Sequence, residues 1–260
     1  MNIHPTAIIA KNAKIGDGVC VGPYAVISDN ATIGPGTKIG THCVIDGNTA
    51  IGGNCEIFTG AVIGSRPQDL KYKGEKVFLE IGDNNIIREY CTFNPGTEEL
   101  GRTVIGSNNL FMAYSHVAHD CVVGSHCVIA NNGTLAGHVT IEDKAVIGGL
   151  AAIHQFVRIG KLAIIGGCSK VVQDIPPFST SDGHPAQVYG LNLVGLRRMN
   201  IPKETIENLD SAFRILFNSG LTKKHALERI EKEIAQSPEV SYLVEFIRKS
   251  ERGIAHSCRK

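Results

Sequence analysis

The 260-residue chain contains no tryptophan, and only 6% of its residues are aromatic. Few large rings are available to fill a wide globular core, so a narrow one built from Ile, Val and Ala is expected. Charge of either sign is scarce in net terms: 26 basic against 25 acidic residues give +1. Nothing in that balance points to nucleic acid or to a charged membrane surface. No apolar run approaches the roughly 20 residues that a membrane span needs. The opening Met1-Asn2-Ile3-His4-Pro5 lacks the basic and apolar regions of a signal peptide, and the expected location is the cytoplasm. The eight cysteines contain no C-x-x-C pair, which speaks against a zinc ribbon or a disulfide framework.

What the chain does have is glycine, 29 residues of it, and a period of six. From Ile105 to Val171 an aliphatic residue or Phe falls at every sixth position without a slip, through Phe111, Val117, Val123 and their successors. Neither the helical period of 3.6 nor simple alternation produces that spacing, so a repeating supersecondary unit must. Gly often follows the apolar residue, and a small residue such as Ser115, Cys121, Cys127, Ala145 or Ala151 tends to stand four places after it. This is the hexapeptide signature of a parallel β-helix, in which three hexads make one triangular coil. Cys43, Cys55, Cys91, Cys121 and Cys127 all occupy the small-residue slot and read as core residues.

The same phase runs from Ile3 to Ile63, breaks at Ser65 to Glu80, and resumes at Ile81. The first break takes up a whole coil's length of sequence, as an extruded loop would; a smaller break spans Glu98 to Arg102. Such loops are either tolerated insertions or carriers of binding groups to a neighbouring subunit's site. The coil should end at Asp174-Ile175-Pro176-Pro177, since paired prolines cannot extend a ladder. Helical grammar follows. Pro202 stands at one helix start, Thr222 caps a second, and Ser237-Pro238-Glu239 opens a third. The division expected is a β-helix over 1–190, with an extruded loop at 65–80, and a helical domain over 191–260 that covers one open sheet end.

Residues eighteen apart should stack at about 4.8 Å. That arithmetic places Gly137 beside His119 and His138 beside Asp120. A histidine, a neighbouring acid and a bare backbone amide suit acyl transfer, as general base, orienting carboxylate and oxyanion donor. His116, His119, His138 and His154 cluster within about two coils, whereas His4, His42 and His126 read as turn residues and His225 and His256 as solvated ones. A rival reading gives His116, His119 and His138 to zinc, as in hexapeptide-repeat carbonic anhydrases. Asp120 and Gly137 favour proton transfer over that arrangement.

Five segments carry a more specific resemblance: Gln68 to Glu75, His116 to Cys121, Asn131 to Val139, His154-Gln155-Phe156 and Gly195-Leu196-Arg197-Arg198. Together they resemble the UDP-N-acetylglucosamine O-acyltransferases that begin lipid A synthesis in Gram-negative bacteria. The resemblance implies an all-β left-handed parallel β-helix with a C-terminal α-helical domain, an exception to the right-handed crossover rule. It further implies a homotrimer, acyl carrier protein as partner, UDP-N-acetylglucosamine as acceptor, and no cofactor or metal. By resemblance His119 is the general base, Asp120 orients it and the Gly137 amide holds the oxyanion. Gln68, Asp69 and Lys71 are sugar and phosphate contacts. His116, His138, His154 and Gln155 line the nucleotide-sugar side, and Asn192 and Arg198 reach the UDP. Gly149 and Gly167 resemble a pantetheine contact and an acyl-chain ruler. An enzyme acylating a 3-amino sugar nucleotide would share this architecture, and the pathway's later N-acyltransferase would need an additional N-terminal domain ahead of Ile3. Val194, Met199, Asn94-Pro95-Gly96 and Pro185 depart from the family pattern.

Overall fold

Residues 2–258 are described in a computed structural model. Among them, short strands stack into three sheets of eleven, nine and eight strands, parallel except for the last strand of the first, which form the faces of a triangular prism. The first sheet begins at Asn2–Ile3, the second at Ile8–Ile9 and the third at Lys14–Ile15. Val117 pairs with Leu135, Val123 with Ile141 and Ile129 with Ile147, the spacing of eighteen that three hexads require. Each typical strand is two residues long, with one side chain outward and the sixth-residue apolar one inward. The inward column is almost wholly buried and forms one continuous core.

Corners keep the ladder intact. The second residue of a corner adopts the left-handed conformation, with φ of 58° at Asp120 and 59° at His138. That geometry costs a side chain about 1 kcal/mol. It is offset because the residue's N–H donates to the preceding coil's corner: His138 to the His119 carbonyl at 3.0 Å, and Phe156 to that of Gly137 at 3.1 Å. The cysteines of the small-residue slot are buried and free. Their thiols turn toward backbone carbonyls, as Cys43 does to Phe58 O at 3.0 Å and Cys121 to Ala136 O at 3.1 Å. Burial pushes the Cys121 thiol up to about 12 and that of Cys127 to about 11, so both stay protonated and inert.

Three expectations need correction. Asn48 pairs with Phe78, and Phe78 with Arg102, so the two broken coils carry twelve and six residues beyond eighteen. The first break therefore adds two hexads and does not stand for a whole coil, and its loop closes at Val77 because Phe78–Ile81 is already strand. The prolines do not end the sheet. Pro176 and Pro177 lie at a corner, where no ladder N–H is needed, and Phe178 N–H continues the pattern to Lys161 O at 2.8 Å. Ser179–Gly183 then adds one more parallel strand beside Ile164–Ile165, and folds back as a hairpin with Ala186–Leu191. Finally, a short helix α1 (Leu193–Arg198) precedes the expected ones.

The helices α2 (Lys203–Asn218), α3 (Lys223–Glu233) and α4 (Pro238–Arg248) follow as read. The Thr222 and Ser237 side chains accept from His225 N and Val240 N. This unit is fastened to the last coils. Buried Asp174 accepts from Arg158 N at 2.8 Å and from Ser250 Oγ at 2.7 Å, and its backbone bridges to Ile254. The Arg158 guanidinium lies over the Phe246 ring at 4.4 Å.

Candidate active site

Both extruded loops leave the prism at the same edge, where the second sheet turns into the third. The first (64–77) joins Val62–Ile63 to Phe78–Ile81, and the second (94–101) joins Thr92–Phe93 to Arg102–Ile105. His119-Asp120, Gly137-His138 and Gln155-Phe156 are successive corners of that same edge. The loops and the histidine ladder are therefore one structure, assembled by the position of the insertions.

His119 is 8% exposed, and its Nδ1 lies 2.9 Å from Asp120 Oδ2. A carboxylate only accepts, so Nδ1–H donates and Nε2 carries the free lone pair. Gly137 packs against that ring: a Cβ there would clash with His119 Cε1 and lie 2.6 Å from Nε2. Only glycine fits. The Gly137 N–H donates to no protein acceptor among the described residues, whereas first corner residues of the edge between the third and first sheets, such as Ser125 to Asp143 Oδ1 at 2.8 Å, are engaged. The His138 ring meets that of His119 edge-on at 5.2 Å and stacks on Phe156 at 4.6 Å, with Nε2 3.7 Å from Asp120 Oδ2. Asp120 also accepts from the second loop, from Thr97 Oγ1 at 2.7 Å and Thr97 N at 3.2 Å. Reading the sequence missed Thr97.

Asp69 brings its Oδ2 to 4.0 Å from His119 Nε2 of the same chain, so the loop reaches its own site rather than only a neighbour's. Its Oδ1 accepts from Lys71 N at 2.8 Å, which fixes the loop's turn; Gln68 and Lys71 are exposed. His116 faces outward on the second sheet, with Nδ1 2.7 Å from Thr92 Oγ1. Burial is the main cause that holds its imidazole below the ordinary value. Exposed His154 has its Nδ1 3.1 Å from Gln155 O. Ligand atoms of His119, Asp120 and His138 lie within 4.8 Å of one another; His116 is not part of that group, so the zinc trio read from the sequence is not the one assembled.

Other expected residues lie elsewhere on the prism. Gly149 and Gly167 occupy consecutive corners of the edge between the first and second sheets, where a Cβ on Gly167 would be 3.3 Å from Gly149 O. Asn192 and Arg198 line a cavity of about 450 Å³ on the remaining edge, with His126, Lys144, Leu162 and Met199. The Asn192 side chain is 5% exposed and already engaged, donating to Leu162 O at 2.9 Å and accepting from Gly195 N at 2.8 Å as the cap of α1. One chain thus spreads the expected site over three edges.

Family models match at residues 102–137 (bacterial transferase hexapeptide, six repeats) and 174–255 (UDP N-acetylglucosamine O-acyltransferase, domain 2). The acyl-[acyl-carrier-protein]–UDP-N-acetylglucosamine O-acyltransferase of Aliarcobacter butzleri is 52% identical over 257 residues, covering 97% of each chain. The enzyme of the same name from Alkalilimnicola ehrlichii is 55% identical over 253 residues, covering 97% of this chain and 98% of that one. The chain belongs to this O-acyltransferase family. Members of the family have solved structures that superimpose along the whole rod. LpxA of Acinetobacter baumannii gives a TM-score of 0.95 at 46% identity, covering 98% of this chain and 100% of that one. The UDP-N-acetylglucosamine acyltransferase LpxA of Bacteroides fragilis gives 0.96 at 45%, covering 97% and 99%. The coil is accordingly the left-handed parallel β-helix of the family, closed by its helical domain. Membership makes the chain an acyltransferase and disfavours the hydratase and amide-forming alternatives.

Proposed function

We propose that this enzyme transfers a 3-hydroxyacyl chain from acyl carrier protein to the 3-hydroxyl of UDP-N-acetylglucosamine, the first step of lipid A synthesis, in the cytoplasm. His119 Nε2 takes the hydroxyl proton as the oxygen attacks the thioester carbonyl. The tetrahedral oxyanion is held by the Gly137 N–H. Collapse breaks the C–S bond, and the departing thiolate recovers the proton from His119. Asp120 keeps Nδ1 protonated and stabilises the imidazolium. The steps balance without a cofactor or metal. The observation that carries this reading is the contact between His119 Nε2 and the Gly137 backbone, so close that no side chain fits between them.

Asp69, Gln68 and Lys71 grip the sugar and phosphates from the loop, and His116, His138, His154 and Gln155 line the acceptor's path. Arg198 takes the UDP, with Asn192 fixing α1 beneath it. Gly149 and Gly167 admit pantetheine and the acyl tail. Because these groups lie on three edges, a homotrimer that sets one prism's edge against another's completes the site. Its support includes exposed side chains on the edge between the first and second sheets, among them Tyr90 and Tyr114, stacked at 5.2 Å, and Leu150. No helix among the described residues is long and apolar enough to cross a membrane.

His119→Ala tests the chemistry. Turnover should fall by about two to four orders of magnitude, as for a lost general base, with the circular dichroism of the coil unchanged. Undiminished turnover would refute the assignment.

A further inference from the structure

The Asp120 carboxylate faces two imidazoles. His119 Nδ1 is 2.9 Å from Oδ2, and His138 Nε2 approaches the same oxygen to 3.7 Å. A carboxylate free to rotate could divide its hydrogen bonding between them, and His119 would then lose the contact that fixes its tautomer. Rotation is blocked from the second extruded loop. Thr97 donates to both carboxylate oxygens, from Oγ1 to Oδ2 at 2.7 Å and from its backbone N–H to Oδ1 at 3.2 Å. The loop comes this close only because glycines flank the contact: a Cβ on Gly96 would be 2.7 Å from Asp120 Oδ1, and one on Gly101 3.3 Å from it.

We infer that Thr97 is a positioning residue for the acyl-transfer step, acting through Asp120 to hold His119 with Nδ1 protonated and Nε2 free. The inference rests on the proposed roles of His119 and Asp120. It also gives the six-residue insertion a purpose: it delivers one hydroxyl and one amide to the orienting acid. Thr97 touches neither substrate nor the reacting atoms in this scheme, so its loss should appear in kcat and leave acceptor KM unchanged.

The test is a double-mutant cycle read by steady-state kinetics with an acyl carrier protein thioester. Thr97→Val keeps the shape and removes the hydroxyl. A hydrogen bond to a charged group is at stake, so kcat should fall about tenfold or more, with KM for the sugar nucleotide unmoved. Thr97→Ser, which restores the donor, should recover most of the rate. In an Asp120→Ala background, Thr97→Val should have no additional effect, because the group it positions is gone. Undiminished kcat in Thr97→Val overturns the inference, as does the same fold-loss with and without Asp120 or a failure of Thr97→Ser to recover. The outcomes also separate the two levels of the argument. If Asp120→Ala itself keeps full activity, the proposed catalytic roles fail; if Asp120→Ala is impaired and Thr97→Val is not, only the role of Thr97 fails.

Discussion

Replacing Gly137 with alanine adds one methyl group at the point where coil and imidazole touch, and its effect can be worked out from the geometry. Gly137 is outside the left-handed region, so alanine meets no backbone strain there. The added Cβ would, however, lie 2.6 Å from His119 Nε2 and closer still to Cε1. Ordinary contact is about 3.5 Å, so the ring must retreat by about 1 Å. It cannot retreat freely, because Nδ1 is bound to Asp120 at 2.9 Å and the His138 ring stands beside it. A base misplaced by 1 Å loses about a hundredfold in rate, equivalent to about 2.7 kcal/mol of barrier. Overpacking at a buried corner also costs about 1–3 kcal/mol of stability, which leaves a long rod folded. The assay is initial-rate product formation from an acyl carrier protein thioester, alongside thermal unfolding. A second arm uses the His119→Ala background, where the methyl has no ring to displace and should cost nothing further. If Gly137→Ala turns over like the unsubstituted enzyme, the close approach of ring and amide is irrelevant to catalysis and the reasoning fails.

Gly167→Leu should shift the preferred acyl chain to shorter lengths, read by mass spectrometry of product from a panel of acyl carrier protein thioesters; an unchanged profile contradicts the ruler role. His116 should titrate below the ordinary histidine value near 6.5, mainly because it is buried, in a histidine-selective NMR titration. A depressed midpoint means that the folded state prefers the neutral ring. Its contribution to stability is therefore complete above about 6.5 and is lost as pH falls through the lower folded midpoint, so His116→Gln should flatten the stability profile over that window. Asp174→Ala strands the Arg158 N–H and the Ser250 hydroxyl. It should cost about 1–3 kcal/mol for each donor left buried and unpaired, seen as a lowered unfolding midpoint.

The rod and the His119–Gly137 contact were legible because both follow from counting. An inward residue every sixth place forces the coil, and eighteen residues per turn then force His119 against Gly137 and Asp120 against His138. Thr97 escaped for the same reason. Its coil carries six surplus residues, so it reaches Asp120 from a distance of twenty-three in sequence, which no regular stacking rule finds. Asp69 reaching its own chain's His119 was equally hidden, since an aperiodic loop has a path that sequence does not specify. Pro176 and Pro177 misled because ladder logic applies to strands, and they stand at a corner. Helix α1 had one visible signal, Asn192 as its cap, in a helix too short to show a periodic stripe.

Among the described residues, the helices and hairpin cover one end of the prism. Helices and hairpin are anchored to the last coils through Asp174, while in the first coil Ile3 and Ile8 are exposed and Ile9 is only partly covered. Within one chain each coil rests on its neighbours, so thermal opening starts at the first coils and works inward like an unwinding spring. Amide exchange should be fastest around Asn2 to Ile15 and slow steadily toward His119, which distance along the axis keeps clear of that fraying.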